Sequence, residues 1–157
     1  MEFDGRTGWL LIEYALLPNT PILAMRHSVV FDQPVERLLL GRGTDPDPDF
    51  VKHSTFNTLN SRGVGSIPAN QIAVSRGPVT GAPQALFAPG TGYTVNAGVC
   101  NEWHAFLDVL NGRDDGDGDY SIDVAWDVGS VDAGEVVTVC AYYVFGTDDK
   151  AIIEAVS

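Results

Sequence analysis

The chain has 157 residues, and its 21 acidic against 9 basic side chains give a formal net charge of −12. Binding to nucleic-acid phosphates needs clustered lysines and arginines, so this charge argues against a nucleic-acid-binding protein. No apolar run reaches the roughly 18 residues that span a bilayer, which argues against a membrane-embedded chain. The length and a hydrophobic content of 45% predict one globular domain covering residues 1–157.

The excess charge is concentrated in one part of the chain. Residues 108–149 contain eleven acids and a single base, Arg113, whereas residues 1–107 carry a net charge of only −2. Aspartates outnumber glutamates by fifteen to six, and aspartate suits turns and hard-cation sites better than helices. The pattern indicates a local function for these acids.

Alternation of apolar and polar residues with a period of two recurs along the chain and predicts strands. In chain order, the predicted strands cover residues 9–16, 23–31, 35–40, 71–76, 84–88, 93–99, 120–128, 136–145 and 151–156. The 17 glycines and 9 prolines supply the turns between them. This arrangement predicts an all-β fold, either an antiparallel β-sandwich or a jelly roll.

One short helix is expected at about residues 101–111. Four apolar residues between Trp103 and Leu110 recur at helical spacing and therefore share one stripe of a helix. Asn101 can cap the start of this helix and Gly112 can end it.

The predicted strand 136–145 is apolar on both faces. Such a strand lies in the centre of a sheet that is covered on both sides, or it lies at an interface. Under the second alternative, Val136, Tyr142 and Val144 are candidate contacts for assembly with another protein.

The first acidic motif is Asp45-Pro-Asp-Pro-Asp49. The prolines hold the chain stiff and extended, so Asp45, Asp47 and Asp49 can project toward the same side. Three carboxylates in this arrangement suit Ca²⁺, which takes six to eight oxygen ligands. The alternative is a solvated turn whose charge is balanced by Arg42 or Arg62.

The second acidic motif places Asp115, Asp117 and Asp119 at the same spacing of two, between flexible glycines. The spacing is that of an EF-hand loop, but Trp126 occupies the position where the loop needs a bidentate glutamate. A calcium loop of another kind remains one interpretation, and a plain polar hairpin loop is the other.

The two cysteines, Cys100 and Cys140, allow one disulfide or two buried thiols, and the thiols are the favoured alternative. Their spacing does not match a zinc site. The first residues lack the basic and apolar segments of a signal peptide.

Sequence motifs of hydrolases, metalloproteases, P-loop enzymes and dinucleotide-binding enzymes are absent from the chain. Asp123 and Asp127 on one strand face form the one pair of carboxylates that suggests a glycoside hydrolase. Outward aspartates on a half-exposed strand are common, so we expect a non-catalytic protein.

Two stretches resemble a known class of domain. Asp45-Pro-Asp-Pro-Asp49 with Ser54–Asn60, and Ala125–Glu135 with Tyr142–Gly146, are similar to segments of β-rich domains in large bacterial surface and adhesin-like proteins. The resemblance implies an extracytoplasmic, non-catalytic domain that is ordered by calcium at Asp45, Asp47 and Asp49.

Two functions are compatible with these features. The leading hypothesis is a structural β-domain of a virion surface, of the capsid-decoration type, whose partners are copies of itself or a capsid lattice. The alternative is a calcium-dependent adhesion or carbohydrate-binding module on an extracellular surface, with Trp9, Tyr93 and Trp103 available to bind glycans.

Overall fold

A computed structural model describes residues 2–3, 6–90, 92–101 and 106–157, with side chains described from Arg6 onward. Within these residues the chain forms ten strands and three short helices. The strands are β1 (Glu2–Phe3), β2 (Arg6–Leu16), β3 (Ile22–Phe31), β4 (Val35–Thr44), β5 (Leu59–Arg62), β6 (Ile72–Arg76), β7 (Pro83–Phe87), β8 (Thr94–Cys100), β9 (Ser121–Val131) and β10 (Val137–Phe145). The helices are α1 (Phe50–His53), α2 (Phe106–Leu110) and α3 (Asp149–Val156).

The strands form two antiparallel sheets. The large sheet has the order β1-β2-β3-β10-β7-β6-β5, and the small sheet has the order β4-β9-β8. The fold is therefore all-β and sandwich-like, which confirms the predicted class.

The main core lies between the two sheets. The small sheet contributes the inward residues of β8 and β9, including Trp126, and the large sheet contributes inward residues such as Met25, Leu86 and Tyr143. These residues fall at alternate positions along their strands, so the period-two pattern of the sequence marks the buried face. Burial of this apolar surface is the main favourable contribution to folding.

The outer faces of both sheets are partly covered by helices. Helix α2 packs Val109 against Cys100 and Ala125 on the outer face of the small sheet. Helix α3 buries Ile152 against the outer face of the large sheet, where Val144 lies. The predicted helix at 101–111 is described only in part, because residues 102–105 lie outside the described residues.

The predicted strand at 151–156 is wrong, because these residues belong to helix α3. The side chain of Asp148 accepts a hydrogen bond from the backbone N–H of Ala151, which caps the helix, and Ile152 faces the sheet. The apolar residues of this segment therefore have a helical period, which a six-residue window cannot distinguish from alternation.

Strand β10 lies in the centre of the large sheet, between β3 and β7. Val144 is fully buried by the chain's own residues, including those of α3, and Tyr142 is half-buried. The predicted assembly contact is therefore wrong at Val144, since that side chain does not reach the surface. Val136 is 65% exposed and precedes the strand.

The two cysteines are free thiols. Cys100 lies under α2 on the outer face of the small sheet, whereas Cys140 alternates with the core residues of β10 and lies on the outer face of the large sheet. The disulfide is therefore wrong, because the whole sandwich separates the two sulfur atoms. Of the two thiols, Cys100 is buried as predicted and Cys140 is only half-buried.

Candidate functional site

The two acidic motifs meet at one end of the small sheet. Strands β4 and β9 are antiparallel, and Thr44 at the end of β4 pairs with Ile122 at the start of β9. Asp45 and Asp47 leave the end of β4, while Asp119 leads into β9, so the pairing carries all three to the same place. The motifs that the sequence suggested as two sites contribute to a single one.

The carboxylates of Asp45, Asp47 and Asp119 each offer an oxygen, and these oxygens lie within 4.8 Å of one another. Asp45 and Asp119 are exposed, and Asp47 is half-buried. Oδ1 of Asp47 is inaccessible to solvent and has no hydrogen-bond partner among the described residues. The group could hold a metal ion, and its ligands would all be oxygen atoms, as hard cations prefer.

The carboxylates of this cluster destabilise one another in their ionised form. Burial and then the charge of Asp119 raise the pKa of Asp45 above its ordinary value. Burial and then the charges of Asp45 and Asp119 raise the pKa of Asp47. A bound cation would reverse this situation by supplying the positive charge that the site lacks.

The two arginines that could have balanced the first motif are engaged elsewhere. Arg42 donates a hydrogen bond to the hydroxyl of Tyr143 at 2.7 Å. Arg62 donates to the carbonyl oxygens of Ala97 and Gly112. In the described part of the chain, no ion pair involves the three clustered aspartates.

Asp49, predicted as a third ligand of the first motif, lies outside the cluster. Its side chain is only 1% exposed and accepts hydrogen bonds from the Val79 and Thr80 N–H groups and from the Thr80 hydroxyl. Burial acts to raise the pKa of Asp49, but these hydrogen bonds outweigh it and hold the pKa below the ordinary value. Asp49 therefore stabilises the turn at residues 77–80.

Asp115 and Asp117, predicted as ligands in the second motif, also lie outside the cluster. Asp115 forms an ion pair with Arg113 at 2.8 Å and accepts a hydrogen bond from the Asn101 N–H. Asp117 accepts a hydrogen bond from the Asn60 N–H at 2.8 Å. Only Asp119 of this motif contributes to the cluster.

Thr58 and Asn60 hold the second acidic loop in place, a role that the sequence analysis missed. The Thr58 hydroxyl donates to the Gly118 carbonyl at 2.7 Å, and the Asn60 side chain donates to the Gly116 carbonyl at 3.1 Å. Gly116 has a φ of 79°, which favours glycine at this position of the loop. The sequence could not indicate this role, because Thr58 and Asn60 are far from residues 116–118 along the chain and only folding brings them together.

Asp123 and Asp127 do not form an open pair of carboxylates. Asp123 is buried and accepts a hydrogen bond from the Ser121 hydroxyl at 2.6 Å. Asp127 is bound by Arg37 at 2.6 Å, and this hydrogen bond holds the pKa of Asp127 below its ordinary value. A glycoside hydrolase needs one protonated carboxylic acid, which this ion pair disfavours at Asp127.

A second feature of the surface is strand β2, where six large apolar side chains are between 38% and 80% exposed. Leu10 and Tyr14 pair with the core residues Val29 and Met25 of β3, so they lie on the inward face of the large sheet. They are nevertheless exposed, because the small sheet does not cover β2. The six residues, which we call the β2 surface, are Trp9, Leu10, Leu11, Ile12, Tyr14 and Leu16.

A groove of about 550 Å³ opens beside the β2 surface, between the two sheets. It is lined by Leu10 of β2, Phe31 of β3 and residues 35–40 of β4. Arg6 and Arg37 are the basic residues of this lining. Strand β4 is an edge of the small sheet. The sandwich is thus open on this side, and apolar residues that belong to its core face reach solvent.

The sequence matches no protein-family model, and no curated protein is found to be similar to it. Among the described residues, no helix has the length and apolar character required to cross a membrane.

Proposed function

We propose that this chain is a non-catalytic assembly domain that binds another protein subunit through the β2 surface. The observation that carries the proposal is the exposure of six large apolar side chains on one strand, with Trp9 at 78% and Leu16 at 80%. Four of these side chains (Leu10, Ile12, Tyr14 and Leu16) share the inward face of the sheet, and exposed apolar patches mark interaction sites in soluble proteins. The assembly surface is therefore assigned to β2 instead of to β10.

The setting that we propose for this domain is a protein lattice, such as the surface of a virion that it decorates. The absence of enzyme motifs and the long apolar strand together suit a component that binds a repeating protein surface. The net charge of −12 would keep the free domain soluble before it docks.

We further propose that Ca²⁺ occupies the cluster of Asp45, Asp47 and Asp119 and stabilises the fold. Three carboxylate oxygens within 4.8 Å match the oxygen ligands that this cation requires, and one oxygen of Asp47 is buried without a hydrogen-bond partner. The resemblance of the Asp45–Asp49 segment to calcium-ordered surface domains supports the choice of ion.

Site-specific photo-crosslinking tests the assembly proposal. A photoreactive phenylalanine analogue replaces Trp9 in one protein and the exposed Val79 in a matched control, and each is irradiated in lysate from its natural source. We expect crosslinks to a protein from position 9 and none from position 79. Mass spectrometry then shows whether the captured peptides belong to this chain or to a lattice protein. An absence of protein crosslinks at position 9 would contradict the proposal.

Binding of carbohydrate is the second candidate function, and the exposure of Trp9 favours it, since aromatic rings form platforms for sugars. Tyr93 is half-buried and packs against the core, and Trp103 lies outside the described residues. A glycan array with and without a chelator tests this candidate. Calcium-dependent binding that is lost in Trp9→Ala would favour it over assembly.

A further inference from the structure

We infer that the partner of the β2 surface is a second copy of this chain, paired antiparallel with β2 about a two-fold axis at Ile12. This inference rests on the proposed function, since it names the partner of the same surface. The pairing would join two large sheets into one continuous sheet. Three properties of β2 support it: the backbone edge, the apolar area and the charge.

The backbone of β2 has an unpaired edge along most of its length. Strand β3 pairs with β2 from Gly8 to Leu16 on one side. On the other side, β1 pairs only with Arg6 and Thr7. Within the described part of the chain, nothing pairs with this second edge between Trp9 and Leu16. A long apolar edge with unpaired N–H and C=O groups is a template for another strand.

The exposed apolar area is large enough to contribute to a dimer contact. The exposed fractions of the six side chains amount to about 700 Å² of apolar surface on each copy, taking about 200 Å² for a large side chain. The two copies together present about 1,400 Å², of which strand pairing would bury the part that faces the second copy, and specific interfaces begin at about 1,200 Å². The new backbone hydrogen bonds would add to this contact.

The charge of β2 permits two acidic proteins to approach here. Between Trp9 and Leu16 the strand has one charged residue, Glu13, and Arg26 forms an ion pair with it at 2.6 Å. The β2 surface is therefore neutral in a chain of net charge −12. A second copy, which has the same surface, meets like-charge repulsion along this strand only where the two copies of Glu13 lie opposite each other.

The same charge argues against one register, and the axis proposed at Ile12 avoids it. Like charges placed directly opposite each other destabilise a strand pair, which disfavours a register that pairs the two copies of Glu13. With the axis at Ile12, Glu13 faces Leu11 of the second copy, and Leu10 faces Tyr14 of the second copy. Apolar residues then lie opposite one another on the inward face of the joined sheet.

Sedimentation velocity of the full chain, over a range from about 1 to 100 µM, tests this inference. We expect a monomer–dimer equilibrium for the wild type. Leu11→Glu introduces a charge opposite Glu13 of the second copy, so it should weaken dimerisation at least tenfold, whereas Leu11→Lys should retain the dimer. Val136→Glu is the matched control, because Val136 is 65% exposed and Leu11 is 57% exposed. A far-ultraviolet circular dichroism spectrum like that of the wild type shows that each variant is folded.

A wild-type chain that is monomeric at 100 µM would overturn the inference. A dimer that is lost in the Val136→Glu variant and retained in the Leu11→Glu variant would also overturn it. Dissociation of Leu11→Lys would overturn the register at Ile12. The proposed function fails separately: a monomer that crosslinks from position 9 to a lattice protein retains the assembly role and loses only the second copy as its partner.

Discussion

Asp47 combines three properties that ordinary surface aspartates lack. One of its carboxylate oxygens is buried without a partner, its pKa is raised, and two other carboxylates lie within 4.8 Å. Ionised Asp47 therefore destabilises the free protein and would stabilise a complex with a cation. The same residue should show opposite effects with and without calcium.

We expect Asp47→Asn to raise the Tm of the calcium-free protein by a few degrees and to abolish the response to calcium. In the wild type, calcium at 100 times its dissociation constant would add about 2.7 kcal/mol of stability, or about 5–10 °C in Tm. Thermal unfolding followed by circular dichroism, with calcium and with chelator, measures both effects.

Asp117→Asn is the matched control, because it removes the same charge from the adjoining loop and leaves an amide oxygen that can accept the hydrogen bond from Asn60. It should retain the full response to calcium. A wild-type Tm that calcium does not change would contradict the metal site, and a lost response in Asp117→Asn would contradict its assignment to the three clustered aspartates.

The two thiols should differ in reactivity. Burial and the nearby charge of Asp123 raise the pKa of Cys100 to about 12, so its thiolate is scarce near neutral pH. Cys140 is half-buried on the opposite face of the sandwich. We expect iodoacetamide at pH 8 to label Cys140 first in the native protein and both residues in urea, as measured by intact mass. Preferential labelling of Cys100 would contradict the packing of α2 over it.

At the scale of elements, the longer strands were predictable from the sequence, whereas the two shortest strands and helix α3 were not. Alternation identified eight of the ten strands of the described chain, because one face of each packs against a core. Strands β1 and β5 have two and four residues, too few for a pattern. Helix α3 was misassigned because its β-branched residues favour strands, while the cap at Asp148 and the sheet beneath it favour a helix.

The cap of α3 can be tested with a pair of substitutions. Asp148→Ala removes the acceptor for the Ala151 N–H and should cost about 1 kcal/mol, or 2–4 °C in Tm. Asp148→Asn retains an acceptor and should stay close to the wild type. Thermal unfolding of both variants measures the difference. Equal destabilisation by both substitutions would indicate that charge, and not the cap, is what Asp148 contributes.

At the scale of the whole molecule, the candidate site depends on which strands pair. Sequence spacing identified all three clustered aspartates as candidates but also included Asp49, Asp115 and Asp117. Each of those three has hydrogen bonds within the chain that only the folded structure supplies. The pairing of β4 with β9 selects the site, and nothing in either motif specifies that pairing.

The stability that calcium adds to the whole molecule should depend on pH. Because the pKa values of Asp45 and Asp47 are raised, the folded protein takes up protons here more readily than the unfolded chain, so acid stabilises the calcium-free site and competes with the cation. We expect the gain in Tm from calcium to shrink as pH falls toward these raised pKa values. The pKa of His27 is also lowered, but this affects the protein with calcium and the protein without calcium alike. Its contribution therefore cancels in the difference between the two Tm values. A gain that is constant down to pH 4 would contradict the assignment.

The pairing of β4 with β9 also has a kinetic consequence. It joins Thr44 to Ile122 across about half of the chain, and four strands must be accommodated between them. Contacts so distant in sequence slow folding, because the entropy of closing the loop is lost before the contact stabilises the chain. Carboxylate repulsion at the end of this pair adds to that barrier if the two strands meet in the transition state. Calcium would then accelerate refolding as well as raise the Tm, and the cluster would control when the small sheet closes.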